Sequence, residues 1–200
     1  MTDEIENECD PRIERTRRLV LGATADLVAE RGYDKTTIEG VSDRCGVARS
    51  TIYRHWPDKQ HLIVEAVKSR LVLDPDIDTG SVQGDIECFL GQLVEWFSND
   101  DVVTIALSML SAAHRNAAMS RLHFEATKAR RNHLVQLIER GKSRGELPAD
   151  IDASDSVAEL AGAIFYKRVV LGEPIPPDYV RQHTERWLRQ VGWVPVSTAG

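Results

Sequence analysis

The feature that most constrains this chain is the stretch from residue 36 to 59, TTIEGVSDRCGVARSTIYRHWPDK. It has the pattern of two very short helices joined by a turn. Thr36 is placed to cap the first helix and forms a capping-box pattern with Glu39 three residues later, and Gly46 falls where the chain must reverse direction. A second helix then opens on Arg49. The stretch therefore predicts a helix-turn-helix.

The second helix of this motif begins with a guanidinium and two hydroxyl groups. Such groups at the start of a recognition helix contact base edges and phosphates in the major groove of DNA. We expect groove contacts from Arg49, Ser50 and Thr51, with Arg49 as the base reader. Backbone phosphates would be bound by Tyr53, His55 and Lys59 further along, and at the start of the preceding helix by Thr36 and Thr37. Plain alternatives are packing for Tyr53 and simple solvation for Arg49.

The net charge of −6 argues against a nucleic-acid partner only until it is counted by segment. Residues 1–10 have a balance of −5, residues 11–74 of +3, and the remainder of −4. The basic segment is the one that contains the helix-turn-helix. Arg12, Arg15, Arg17 and Arg18 crowd the start of its first helix, either as phosphate contacts or as an ordinary charged face. DNA binding is therefore compatible with the composition.

The rest of the chain predicts helices and no strand. Asp10 and Pro11 start a first helix that Gly32 ends, and Pro57 and Asp58 start a fourth that runs to about Leu71. Later helices are expected near 82–98, 101–113, 117–144, 153–171 and 177–191. The acidic break LDPDIDTGS suggests four parts: a flexible acidic tail (1–10), a DNA-binding domain (11–73), a larger helical domain (80–193) and a second tail (194–200).

At these residues the chain resembles the TetR family of bacterial transcriptional regulators. The family's frequent pattern GV-x-x-x-T-x-Y-x-H/Y-F-x-x-K is matched by Gly46, Val47, Thr51, Tyr53, His55, Trp56 and Lys59, with Trp56 in place of the commoner Phe. The resemblance implies an all-α homodimer that binds a near-palindromic DNA operator. It also implies a variable C-terminal domain that binds a small-molecule effector and dimerises through its last two helices.

Two sets of residues are candidates for these C-terminal roles. A partly apolar effector would enter a mostly apolar cavity, and the plausible lining residues are Trp96, Phe97, Met109, Leu110, His114, Phe124, Phe165 and Tyr166. Broad apolar faces on the last two helices suggest a dimer interface formed by Val157, Leu160, Ala161, Ile164, Tyr179, Trp187 and Leu188. Both sets could instead belong to the domain's own core.

Other classes of function find little support in the sequence. It contains no membrane-length apolar run, no signal sequence, no catalytic motif and no paired metal-ligand spacing among His114, His123, His133 and Cys88. Three widely spaced cysteines fit a reducing cytoplasm, and Cys45 suits a small buried position better than a redox switch. We predict a regulator without cofactor or metal, most simply a repressor. An activator, or a helical small-molecule binding protein or enzyme without a DNA role, is the alternative.

Overall fold

A computed structural model describes residues 11–70, 74 and 76–193, and these form helices and connecting turns without any strand. The helices are α1 (Pro11–Lys35), α2 (Ile38–Cys45), α3 (Arg49–His55), α4 (Lys59–Arg70), α5 (Val82–Phe97), α6 (Asp100–Arg115), α7 (Ala117–Ser143), α8 (Ala153–Phe165) and α9 (Tyr179–Gln190). The all-α prediction is confirmed. Both predicted tails lie outside the described residues.

The described chain divides into two compact units. The first contains residues 11–70 and also 104–126, whereas the second contains residues 76–103 and 127–193. The chain passes from the first unit to the second between residues 70 and 76, beside the stretch LDPDIDTGS, while the domain bounds 11–73 and 80–193 stay predictions. The sequence did not indicate that α6 and the start of α7 would pack with the first unit, because an apolar helix face does not reveal its partner.

The core of the first unit holds the two helices of the motif against α1 and α4. Val20, Leu27, Val41, Ile52 and Trp56 belong to one buried cluster, in which Ile52 is fully buried. Burying an isoleucine of this kind contributes about 1.5–3 kcal/mol. On α1, the buried residues Val20, Ala23 and Leu27 follow one another at steps of three and four, so one side of the long helix supports the two short ones.

The predicted caps of the motif need one correction. The N-cap of α2 is Thr37, not Thr36, and its hydroxyl accepts a hydrogen bond from the Gly40 N–H at 3.1 Å. Thr36 is buried, and its hydroxyl donates to the Gly32 carbonyl at 2.9 Å. Gly32 itself interrupts α1 with φ 76°, as its position in the sequence predicted.

In the second unit, α5 packs against both α8 and α9. Four of the residues predicted at the dimer interface are inside this packing: Leu160, Ile164, Trp187 and Leu188 are each no more than 3% exposed. Their own chain covers them, which favours the alternative that they belong to the core of the second unit. Val157, Ala161 and Tyr179 remain partly exposed. The predicted helix 153–171 is α-helical to Phe165 and continues as a π-helical turn over Tyr166–Val170.

A buried carboxylate organises the start of α5. Asp85 is fully buried, and one oxygen accepts from the N–H and hydroxyl of Thr79 at 2.7 and 2.9 Å. Its other oxygen accepts from Arg140 at 2.7 Å and from Arg144 at 3.3 Å. A buried charge needs such partners, so this network ties α5 to α7. In the described part of the chain, no helix is long and apolar enough to cross a membrane.

Candidate nucleic-acid interface

The turn between α2 and α3 is fixed by glycine geometry and two hydrogen bonds. Gly46 has φ 71°, a left-handed conformation that glycine adopts without strain, and its N–H donates to the Ser42 carbonyl at 2.9 Å. The Ser42 hydroxyl donates to the Val47 carbonyl at 2.8 Å. The turn thereby sets the angle at which α3 leaves α2.

Helix α3 has one buried side and one open side. Ile52 is fully buried and Trp56, just after the helix, is 2% exposed, so these two anchor it to the core. Arg49 and Ser50 are exposed and Tyr53 is 52% exposed, while Thr51 and His55 are partly buried. The helix therefore presents Arg49 and Ser50 outward and Thr51 only in part, and Tyr53 is not taken up by packing.

The guanidinium of Arg49 is paired with a carboxylate on α2. Arg49 Nη1 donates to Glu39 Oε1 at 2.9 Å, and both side chains are 60% exposed. A hydrogen bond from its own backbone N–H and the one from Arg49 lower the pKa of Glu39. From the sequence, Glu39 was assigned to helix capping. Its pair with Arg49 was not predicted, because no local pattern links residues ten positions apart. Glu39 is a functional candidate that the sequence did not reveal.

Lys59 makes contacts inside its own unit. Its ammonium donates to the carbonyls of Tyr33 and Asp34 at 3.0 and 3.3 Å and lies 4.5 Å from the centre of the Tyr33 ring. Burial lowers the pKa of Lys59, and the nearby Asp34 partly offsets this effect. The predicted phosphate ligand thus also closes the C-terminal end of α1, where free carbonyls attract cations.

Two other predicted phosphate contacts are altered by the geometry. The hydroxyl of Thr36 is turned into the protein, so its assignment as a phosphate ligand was wrong. Thr37 is exposed, although its hydroxyl oxygen is engaged as the α2 cap. At the start of α1, Arg17 pairs with Glu65 and lies 5.9 Å from the Trp56 ring, whereas Arg15 stays exposed. This arginine cluster is therefore partly structural.

The predicted effector-pocket residues do not form one group. Trp96, Phe97 and Phe165 lie close together in the second unit, with ring centres 4.7 Å apart for Trp96 and Phe97 and 5.9 Å apart for Phe97 and Phe165. Met109 belongs instead to a buried cluster of the first unit. Of the others, Leu110 is partly buried, and the exposed residues are His114, Phe124 and Tyr166.

Two pockets are described in the second unit, and both differ from the predicted one. The larger, about 430 Å³, is lined by Ser98, Asp100, Arg168, Gly172, Pro174 and Ile175. The smaller, about 290 Å³, is lined by Asp76, Ile77, Asp78, His133, Gln136, Leu137 and Arg140. Among residues that the structure describes, no cluster of three or more His, Cys, Asp or Glu could hold a metal ion.

Comparison with known proteins relates both parts of the chain to one family. Residues 20–66 match the model for bacterial regulatory proteins of the tetR family, and residues 76–186 match a Tetracyclin repressor-like C-terminal domain. The HTH-type transcriptional regulator YdeS of Bacillus subtilis is 30% identical over 178 residues, covering 86% of this chain and 87% of YdeS. AqdR of Rhodococcus erythropolis is 32% identical over 171 residues, covering 84% and 81%.

A solved structure shows the same fold. The crystal structure of the TetR family transcription regulator SCO0332 superimposes with a TM-score of 0.68 at 24% identity. The match covers 90% of this chain and 99% of that chain. The order of helices described above is therefore that of a known regulator architecture.

Proposed function

Since the chain belongs to the TetR family of bacterial transcriptional regulators, we propose that it is a homodimeric repressor that a small-molecule effector releases from DNA. The observation that supports DNA binding best is the two-sided α3, anchored by Ile52 and Trp56 with Arg49, Ser50 and Tyr53 facing outward. The Tetracyclin repressor-like match over residues 76–186 supports the repressor assignment. Such a regulator acts on the chromosome, which places it in the cytoplasm.

Two recognition helices of a dimer would enter successive major grooves, about 34 Å apart, and so require a near-palindromic operator. An effector bound in the second unit would favour a state in which this spacing is wrong. Coupling energies of about 1–3 kcal/mol are typical of such switches and weaken binding roughly 5- to 150-fold. That range is sufficient to switch a promoter.

Fluorescence anisotropy with DNA fragments that flank the gene tests DNA recognition. The wild-type protein should select one fragment, and its affinity should fall steeply as the salt concentration rises. Arg49→Ala should lower affinity for that fragment, whereas Arg189→Ala removes the same charge from an exposed position on α9 and should not. Equal binding to all fragments, or equal effects of the two substitutions, would contradict the proposal.

The dimer surface is tested by a pair of substitutions on α8. Ala158 is exposed and Leu160 is fully buried in its own chain. Ala158→Asp should shift the protein to monomers in light scattering while the melting temperature of each chain's fold is retained. Leu160→Asp should instead unfold the second unit. A dimer that persists in Ala158→Asp would exclude this face of α8 from the interface.

A further inference from the structure

One arginine of the second unit is neither exposed nor paired. Arg130 on α7 is partly buried, and no carboxylate of the described residues lies within ion-pair distance of it. The other described arginines without a carboxylate partner are all exposed: Arg15, Arg31, Arg54, Arg121, Arg131, Arg186 and Arg189. Burial lowers the pKa of Arg130, and neighbouring Arg131 lowers it further. Arg130 is thus a partly desolvated cation without a counter-charge.

Arg130 lies over an indole ring whose N–H has no hydrogen-bond acceptor among the described residues. The guanidinium carbon lies 5.5 Å from the centre of the Trp96 ring on α5. The Trp96 N–H is buried and has no hydrogen-bond acceptor among the described residues. Buried donors are nearly always satisfied. A cation–π contact uses the ring face and leaves the N–H groups of both side chains available.

A further buried nitrogen without a partner lies between α5 and α7. His133 lies three residues after Arg130 on α7, a spacing that places both on one side of the helix. Its Nε2 is buried without a partner, and its ring meets Phe89 of α5 edge-on with centres 5.4 Å apart. Burial lowers the pKa of His133 and favours the neutral ring. The contact between α5 and α7 therefore places two unpartnered donors, the Arg130 guanidinium and the Trp96 N–H, beside apolar rings.

We propose that Trp96 and Arg130 form a subsite for the carboxylate of an apolar organic acid, which is the effector of this regulator. The proposal rests on the effector response proposed above. A carboxylate can accept two parallel bonds from a guanidinium and one more from an indole N–H. The rest of the acid lies toward Phe165, which is partly exposed and whose ring packs on Phe97, the neighbour of the Trp96 ring. Since Trp96 Nε1 is shielded from solvent, the acid meets Arg130 first.

A structural role for Arg130 gives a different expectation. If its contact with Trp96 stabilised the fold, removing the cation would lower the melting temperature of the free protein. If Arg130 instead binds a ligand, its removal should leave the melting temperature of the free protein unchanged or raise it, as is common at binding sites. Arg131, the exposed neighbour on α7, offers a control with the same change of charge.

The experiment uses the full-length protein without DNA, with 2-naphthoate and octanoate as probes and 2-naphthamide and octanamide as their neutral counterparts. Binding is followed by tryptophan fluorescence and by the rise in melting temperature. We expect at least one acid to bind about tenfold or more tightly than its amide. Arg130→Gln should remove about tenfold of that affinity, Arg131→Gln less than twofold, and Trp96→Phe an intermediate amount.

Three results would overturn the subsite: neither acid binds at about 1 mM, acid and amide bind equally, or Arg130→Gln binds the acid like wild type. A melting temperature that falls in Arg130→Gln but not in Arg131→Gln would also overturn it, because the cation would then be structural. DNA anisotropy separates this from the proposed function. A protein that binds the acid but no specific DNA would contradict the regulator role and leave the subsite intact.

Discussion

The pairing of Arg49 with Glu39 predicts that Glu39→Gln strengthens DNA binding. To contact a base, Arg49 must give up or share its 2.9 Å contact with Glu39. Both side chains are 60% exposed, and exposed ion pairs change an equilibrium by about fivefold at most. A bidentate base contact is worth more, roughly 5- to 150-fold. Wild-type Arg49 can therefore still contact a base, but breaking its pair with Glu39 lowers the net affinity for DNA.

We expect Glu39→Gln to raise affinity about two- to fivefold at roughly 0.1 M salt, for the operator and for unrelated DNA. Arg49→Ala should lower affinity mainly for the operator. Fluorescence anisotropy measures both, and thermal denaturation checks that α2 remains folded. Glu185→Gln is the control, since Glu185 also pairs with an arginine, at 3.1 Å on α9. Weaker operator binding by Glu39→Gln would refute the reasoning and show that Glu39 positions Arg49 instead.

Three further predictions concern the second unit. Gly141→Ala should lower the free energy of unfolding in urea by about 1–3 kcal/mol, because a Cβ there would lie 2.5 and 2.8 Å from Val82 side-chain atoms. The control Gly91→Ala on α5 has open space and should stabilise the protein by about 0.5–1 kcal/mol. A more stable Gly141→Ala than Gly91→Ala would contradict the packing. Asp85→Ala should cost about 3–5 kcal/mol by the same assay, since Arg140 loses its buried partner, and a loss under about 1 kcal/mol would show that the network is dispensable. The hydrogen bond from Arg144 lowers the pKa of Asp78 in the folded protein. The stabilisation from this pair is therefore complete above the ordinary pKa of an aspartate and is lost as the pH falls through the lowered pKa of Asp78. Asp78→Asn should flatten acid denaturation in that range, and an unchanged pH profile would exclude the effect.

The helix-turn-helix was predictable because its signals are local. Gly46 marks the left-handed turn, and the spacing of Val41, Ile52 and Trp56 matches the buried side. The cap was misplaced by one residue because Thr36 and Thr37 have equivalent hydroxyls. Only the burial of Thr36 distinguishes them.

The second unit was less predictable because its decisive facts are contacts between distant residues. Helical periodicity identified the apolar faces of α8 and α9, but it does not tell whether the same chain or a second copy covers them. Leu160 and Trp187 are covered by their own chain. Likewise, composition indicated aromatic residues for a pocket but not that Trp96 lies beside Arg130, 34 positions later. Neither relation has a local sequence signal.

The two arginines at the centre of these proposals have opposite surroundings, and the charges of the ligands proposed for them account for the difference. DNA is a dense array of phosphates that attracts any exposed cation, so Arg49 needs restraint, and Glu39 supplies a counter-charge that only a good base contact outweighs. A small organic acid brings a single charge, which water screens strongly. To hold it, Arg130 must be partly desolvated and free of a competing carboxylate, as it is beside Trp96. Placing a carboxylate near Arg130 should therefore abolish acid binding, whereas removing the one near Arg49 should improve DNA binding.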